Sequence, residues 1–353
     1  MGTPTSGPSP FHPCRAALVA PVRVDPRGIA GPSRGQARGP GWRRTSQGFY
    51  VPSTTGSSPE QRIVEAAAPL PPAGAVTGWA ALRWVGGVWF DGCSPDGRDQ
   101  LPVTLASCQD DIRAQAGTAL CQERLNPSEI VTVDGLRVTV PERSVCFEMR
   151  YAEDEREAVV HLDVAAYSDL VSISEEVAYA TAHPGWTGIP QARTAITLAD
   201  ENSWSPWETR MRLTWVLDAG FPPPLCNRPI FDRWGRHLGT PDFVDPETGT
   251  VGEYDGALHL SGRRRSQDLR REGIFRRHDL EYFTVLAGDM SRRELVVERM
   301  ADARARAARV APSRRSWTLT PPSWWVQSHT VEQRRALTGR ERDVVLRHRR
   351  RVA

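Results

Sequence analysis

The chain has 353 residues, a net charge of +3 at pH 7 and 39% hydrophobic residues, a composition typical of a globular protein with two or three domains. All 45 basic residues are arginines, and the lack of lysine in the sequence excludes a phosphate-loop nucleotide site and Schiff-base catalysis. Because the net charge is small, any affinity for nucleic acid must come from local clusters of arginine.

The six cysteines are scattered and form no Cys-x-x-Cys pair, which argues against a zinc site of ordinary spacing. The sequence shows no clear secretory signal, and no stretch approaches the roughly 20 apolar residues that a membrane span requires. We therefore expect reduced thiols, a cytoplasmic location and no membrane partner.

The front of the chain divides into an arm and a mixed region. Residues 1–41 are rich in glycine, proline and arginine, and we expect a disordered arm because they cannot bury enough apolar surface. Residues 42–150 alternate strand and helix patterns. A Ser-Pro pair begins a predicted helix over residues 58–68, and a second helix is predicted over residues 77–85.

The rest of the mixed region is predicted as a strand at LPVTLAS, a short helix over residues 110–116, and a hairpin at EIVTVDGLRVTV that turns at Asp134 and Gly135. Residues 151–200 follow as a helical connector. Its three predicted helices cover residues 158–167, 174–182 and 191–199.

The region 201–290 begins with a Ser-Pro helix start like the one predicted at residue 58. Ser205 is typical of an N-cap, Pro206 of the first helical position, and Glu208 of a capping-box glutamate, with Gly220 placed to end the helix. A capping glutamate needs no further role. Glu208 is therefore either a purely structural residue or an acid that supports a site formed by the carboxylates described next.

Two β-rich segments, 238–245 and 250–256, flank the turn sequence PETG and predict a hairpin. A turn centred on this sequence places residues whose numbers sum to 495 opposite each other, so Asp242 faces Glu253. Asp255 is expected on the same face, opposite Thr240. Carboxylates this close repel each other unless one holds a proton or a cation neutralises them, and Mg²⁺ is the usual cation for such ligands.

Seven arginines fall within the fifteen residues that follow the hairpin, between positions 263 and 277. Arginine matches phosphate geometry well, so this predicted helix could hold a DNA backbone beside the acidic residues. The alternative is an ordinary solvated helix. The candidate DNA-binding residues are Arg263, Arg264, Arg265, Arg270 and Arg271.

Residues 291–353 are predicted to be helical and basic, with a capping box at their start. Three tryptophans, at positions 317, 324 and 325, lie in a proline-rich loop of this region. They could stack on bases or seal a helix against the core.

The glutamate on a helix, the aspartate after a proline, the Glu-x-Asp-Gly sequence followed by a histidine, and the later Asp-x-x-Arg resemble the PD-(D/E)xK restriction-endonuclease-like superfamily. The nearest branch is similar to the very short patch repair endonuclease. The resemblance implies that Asp242 and Glu253 bind the metal and that Glu208 supports the site. Asp255 and His259 occupy positions of further polar site residues.

This sequence departs from the superfamily pattern at Asp255, which stands where the usual lysine would orient or activate the attacking water. His259 could act as the general base instead, because its unperturbed pKa is near 6.5, or it could be a hydrogen-bonded structural residue.

The front of the chain, with WRRTSQGFYVPS and its two short helices, is similar to the winged-helix segment of AbiEi-type antitoxins of type IV toxin–antitoxin pairs. We therefore expect an α/β protein with an N-terminal winged-helix-like module and a C-terminal restriction-endonuclease-like domain, whose mixed central sheet is flanked by helices. The expected function is a metal-dependent DNA endonuclease that uses Mg²⁺ or Mn²⁺.

Two alternatives remain open. One is a DNA-binding transcriptional regulator or antitoxin-like protein with a catalytically degenerate nuclease fold, with a cognate toxin as a partner. The other is an interaction protein whose acidic patch contacts a basic partner.

Overall fold

The computed structural model describes residues 13–108, 112–256, 262–347 and 349, with the backbone alone for residues 262–269. The chain forms two compact units. Unit 1 comprises Met1–Tyr151 and Ala178–Thr187, and unit 2 comprises Ala152–Val177 and Gly188–Ala353. The chain is thus a mixed α/β protein, and none of its described helices has the length and apolar character to cross a bilayer.

Within its described residues, unit 1 has two sheets, three complete α-helices and the end of a fourth. The small sheet is antiparallel with the order β1-β3-β2, and the larger sheet is mixed with the order β6-β5-β4-β8-β7. Its elements are β1 Val22–Arg23, β2 Trp42–Ser46, β3 Phe49–Pro52, α1 Pro59–Ala67, β4 Ala75–Thr77, α2 Trp79–Trp84, β5 Val103–Ala106, β6 Thr118–Cys121, β7 Ile130–Val133, β8 Leu136–Thr139 and α3 Pro141–Tyr151.

Local signals in unit 1 behave as predicted in two places. Ser58 accepts a hydrogen bond from the Gln61 backbone N–H at 3.1 Å and so caps α1. Asp134 and Gly135 have φ angles of 46° and 80°, the left-handed values that a tight hairpin turn between β7 and β8 requires.

The expectation of a disordered arm is wrong for residues 13–41. This segment contributes β1 to the small sheet, and Val19 exchanges two backbone hydrogen bonds of 2.9 Å with the buried Gln61 side chain. Long-range pairing therefore orders a segment whose composition alone predicts disorder. Residues 1–12 lie outside the described part of the chain.

Two helix predictions in unit 1 also need correction. Residues 75–77 form strand β4, and α2 begins only after Gly78, whose φ of +64° interrupts a right-handed helix. The helix expected over residues 110–116 is not formed within 112–116, because Gln115 instead makes a turn with Thr118. Residues 109–111 lie outside the described residues.

Unit 2 places helices on both faces of a four-stranded mixed sheet with the order β14-β13-β12-β9, and adds a small antiparallel sheet, β11-β10-β15. One helix, α5 (Ile173–Ala182), begins in unit 2 and ends in unit 1. The elements are α4 Glu155–Tyr167, α5 Ile173–Ala182, α6 Ile189–Leu198, α7 Pro206–Leu213 with a π-helical turn Thr214–Asp218, β9 Leu225–Cys226, β10 Ile230–Asp232, β11 His237–Gly239, β12 Phe243–Val244, β13 Thr250–Asp255, α8 Gly262–Arg277, β14 Glu281–Leu286, α9 Arg293–Ala307, β15 Trp317–Thr318, α10 Val331–Arg335 and α11 Gly339–Val345.

The two faces of the four-stranded sheet have separate cores. On one face, Phe243 and Phe283 pack with side chains of α7, its π-helical turn and α9. On the other face, Val244 and Val251 pack with Phe275 of α8 and with the small sheet. The alternation of these residues along β12 and β13 follows the two-residue period of a strand.

The predicted strand over residues 238–245 is broken in two. Its first part is β11, which pairs with β10 in the small sheet, and its second part is β12. Pro241 separates them, since it has no backbone N–H to donate to a strand ladder. Gly239 ends β11 with its Cα against Phe275, where a Cβ atom would lie 2.7 Å from the ring.

A buried ion pair joins α4 to α7 in unit 2. Asp163 has no exposed surface, and it accepts bonds from Arg212 at 2.7 Å, Thr209 at 2.9 Å and the Asp200 backbone at 2.8 Å. Because every oxygen has a donor, the pair holds the two helices at a fixed position.

We predict that Arg212→Met lowers the free energy of unfolding by about 3–5 kcal/mol, because Asp163 would stay buried without its partner charge. Urea unfolding followed by circular dichroism measures this loss. The matched control is Arg156→Met, which removes a pair with the exposed Asp218 and should cost less than about 1 kcal/mol. Equal losses in the two variants would contradict the prediction.

A candidate active site of three coupled carboxylates

Glu208 is fixed at the first turn of α7. Ser205 accepts a bond from the Glu208 backbone N–H at 3.2 Å, so the predicted N-cap is confirmed. The Glu208 side chain departs from the predicted capping box, because its Oε1 accepts the Ser205 hydroxyl at 3.0 Å and not the Ser205 backbone N–H. Glu208 Oε2 accepts the Trp204 backbone N–H at 2.8 Å and the Asn227 side-chain amide at 2.7 Å. The carboxylate is therefore tied to the loop after β9 as well as to its own helix.

The hairpin has the predicted register. The Cα partners in β12 and β13 are Phe243 with Gly252 and Val244 with Val251, which are pairs whose numbers sum to 495. One step further along this register, Asp242 faces Glu253. Asp242 Oδ2 accepts the Tyr254 backbone N–H at 2.6 Å, which fixes the aspartate beside the neighbouring strand.

Glu253 is 8% exposed and is held by two side chains that its own strand does not supply. Its Oε2 accepts the Tyr282 hydroxyl of β14 at 2.9 Å. Its Oε1 forms an ion pair of 3.0 Å with Arg271 of α8. The acidic cluster thus draws residues from a helix, a hairpin, a further strand and the basic helix.

The three carboxylates perturb each other. Burial raises the pKa of Asp242 well above its ordinary value, and the charges of Glu208 and Glu253 raise it further, against the Tyr254 N–H and Arg271. Burial also raises the pKa of Glu208 to about 7, with a contribution from Glu253, against three hydrogen bonds that favour the charged form. Without a cation, the cluster therefore retains protons near neutral pH.

The other predicted site residues take different positions. Asp255 ends β13 and pairs with Leu286 of the parallel strand β14, so the predicted position opposite Thr240 is wrong because β11 has left this sheet. His259 lies outside the described residues. Of the candidate DNA-binding arginines, Arg270 is exposed and Arg271 contacts Glu253, while the side chains of Arg263, Arg264 and Arg265 lie outside the described residues.

Two residues of the cluster were missed from the sequence. Asn227 has a left-handed φ of 46°, and its own N–H donates to the Asp242 backbone carbonyl at 2.9 Å, so it links the two acids. Tyr282 reaches Glu253 only because β14 lies parallel to β13. An isolated asparagine and a strand tyrosine give no signal of this kind in a sequence, because their partners are distant.

The donor set suits a divalent cation held by few protein ligands. Among the described residues no group of three or more His, Cys, Asp or Glu side chains is arranged to hold a metal. Within the same part of the chain, no hydrogen bond reaches Asp242 Oδ1, and a positive charge at the Asp242 carboxyl would offset the charges of Glu208 and Glu253. Mg²⁺ is commonly held by one or two carboxylates, waters and a substrate phosphate, so Asp242 and Glu253 fit it.

Comparisons of the chain with protein-family models, with curated proteins and with solved structures found no significant match.

We predict that Glu208→Gln removes a pH dependence of stability. The raised pKa of Glu208 means that the folded protein keeps a proton which the unfolded chain releases, so its contribution is complete below pH ~4.5 and is lost as pH rises through about 7. Relative to the variant, the wild type should therefore lose about 1–3 kcal/mol between these values. Glutamine keeps an acceptor for Trp204 and Asn227 and can donate to Ser205.

Chemical unfolding at pH 4.5, 6 and 8 measures this difference. The matched control is Glu298→Gln, which changes an exposed glutamate of α9 and should leave the pH profile of the wild type unaltered. Parallel profiles for the wild type and Glu208→Gln would show that Glu208 does not retain the proton.

Proposed function

We propose that this protein is a metal-dependent phosphodiester hydrolase that acts on DNA and that unit 2 is a restriction-endonuclease-like domain. The observation that carries the proposal is the convergence of Glu208, Asp242 and Glu253, where burial first and the neighbouring carboxylate charges second raise the pKa of Glu208 and Asp242. A fold that only had to be stable would gain by replacing one of these acids, since packed neutral groups avoid both burial and repulsion.

Each residue has a distinct task under this proposal. Asp242 and Glu253 would hold Mg²⁺ or Mn²⁺, which when bound polarises a phosphodiester and lowers the pKa of an attached water. Glu208 orients Asn227, whose backbone in turn fixes Asp242. Asp255 or His259 would accept the proton of the attacking water.

The basic helix α8 favours DNA as the substrate. It follows β13 directly, and Arg271 already reaches the acidic cluster through Glu253. With Glu253 engaged as a metal ligand, the Arg271 guanidinium would be free to donate to a phosphate oxygen. The exposed Arg270 and the three arginines near the start of α8 would extend this contact along the backbone.

The architecture agrees with the resemblance at the coarse level. The central sheet of unit 2 is mixed and has helices on both faces. We further propose that unit 1 is a winged-helix-like DNA-reading module. Its capped helix α1 is tied to the antiparallel small sheet by two hydrogen bonds of 2.8 Å between Arg43 and Glu65.

A DNA-binding regulator that does not cleave is the second candidate, with a cognate toxin as its partner. The ion pair between Arg271 and Glu253 favours it, because an arginine neutralises one of the acids without any cation. The aspartate at position 255, in place of a lysine, favours it as well. The two candidates differ in turnover and share the binding of DNA.

We predict that Asp242→Asn and Glu253→Gln each reduce metal-dependent DNA cleavage by at least about a hundredfold, because each removes a charge worth several kcal/mol to the transition state. Supercoiled plasmid and single-stranded DNA are incubated with Mg²⁺ or Mn²⁺, and nicked or shortened products are measured. The control is Asp302→Asn, which changes an exposed aspartate of α9 and should retain full activity.

Binding of Mg²⁺ is measured separately by calorimetry with the same variants. Loss of both binding and cleavage in Asp242→Asn supports the metal site. Absence of cleavage by every form, with DNA binding intact in all of them, would contradict the hydrolase and leave the regulator as the better account.

A further inference from the structure

A cleft of about 650 Å³ lies in unit 2, next to the residues that hold Glu208. Asn227 and Trp204, which both donate to Glu208 Oε2, form part of its wall. Thr240, two residues before Asp242, forms another part. Clefts of this size accommodate small organic ligands, and none of the proposed catalytic carboxylates lines it.

Trp324 and Trp325 belong to the wall of the cleft. Trp325 packs against Phe231 and His237, with ring centroids 5.0 Å apart in each case. Trp324 lies 5.6 Å from Trp325 and remains 63% exposed. Trp317, in contrast, is buried in the core, so only part of the tryptophan cluster seals the fold. A planar base could stack on the exposed rings.

Arg228 supplies a positive charge to the wall of the cleft. Its side chain is half-buried, and in the described part of the chain no hydrogen bond or ion pair reaches its guanidinium. Burial lowers its pKa, and Asp200 opposes that shift through its charge without forming an ion pair. The pKa of His329 is lowered to about 4 by burial and by Arg228, so this neighbour is neutral at pH 7.

The third feature of the cleft is the side-chain amide of Asn227. This residue is 4% exposed, and its amide nitrogen donates to the Asn202 carbonyl at 2.8 Å and to Glu208 at 2.7 Å. Its side-chain carbonyl oxygen, Oδ1, is buried, and no donor reaches it among the described residues. Buried polar atoms are almost always paired, and a ligand N–H group that reaches this oxygen would complete its hydrogen bonding.

We propose that this cleft binds one unstacked nucleotide of a DNA strand, with its base against Trp324 and its phosphate at Arg228. The base edge supplies the N–H group that Asn227 lacks. The inference rests on the proposed function in taking DNA as the source of the nucleotide. A nucleotide combines a planar ring, an anion and a donor on the base edge. A purely apolar ligand has neither the anion nor the donor.

The test measures binding without cleavage. Full-length Asp242→Asn protein is titrated in the absence of metal with fluorescein-labelled pentathymidine, and anisotropy reports the affinity. A pentamer with an abasic centre separates base recognition from phosphate recognition. Unlabelled dTMP, used as a competitor, separates a free nucleotide from one within a strand.

We expect pentathymidine to bind at least tenfold more tightly than the abasic pentamer. Trp324→Ala and Arg228→Met should each weaken its binding roughly tenfold or more, as loss of stacking on a base does. The matched control is Trp234→Ala, which removes a tryptophan that is 87% exposed and does not line the cleft. That variant should stay within about twofold of the parent.

Equal binding of the abasic and intact pentamers, or unchanged affinity in both cleft variants, would overturn the proposal. Competition by dTMP that is as strong as that of unlabelled pentathymidine identifies a free nucleotide as the ligand, and weaker competition identifies a strand. If the wild type cleaves DNA and Trp324→Ala binds pentathymidine with unchanged affinity, only the proposal for the cleft is rejected. Base-dependent binding without any cleavage rejects the hydrolase alone.

Discussion

The repulsion among Glu208, Asp242 and Glu253 is the constraint on which the rest of unit 2 depends. Among the described residues, neutral donors and Arg271 hold these acids. The backbone must therefore keep them together. A slip of one residue in the hairpin would turn Asp242 or Glu253 to the other face, and the two cores that pack on β12 and β13 oppose such a slip.

Gly252 shows how tightly that packing is drawn. A Cβ atom at this position would lie 2.7 Å from Phe283 and 2.8 Å from Phe243, so only glycine lets the two rings close over the strand. The rings belong to the core that includes Trp215, and Gly252 is adjacent to Glu253. The free energy that holds the acids close is thus supplied by apolar burial on both sides of the sheet.

The sequence predicts the parts of this site that depend on near neighbours. The PETG turn and the alternation around it give the register that sets Asp242 opposite Glu253, and the Ser-Pro cap gives the position of Glu208. The parts that depend on distant pairing are missed. Pro241 lies between β11 and β12, which belong to different sheets. The ordering of residues 13–41 requires a strand partner that composition does not reveal.

Asn227 connects the acidic cluster to the neighbouring cleft through a single amide. The side-chain nitrogen donates to Glu208, and the side-chain carbonyl oxygen accepts no bond among the described residues. A donor placed on that carbonyl polarises the amide and strengthens its bond to Glu208, because hydrogen bonds in a chain reinforce one another. A stronger bond to the carboxylate favours its ionised form. A ligand in the cleft would thereby increase the negative charge beside Asp242, where we propose that the cation binds.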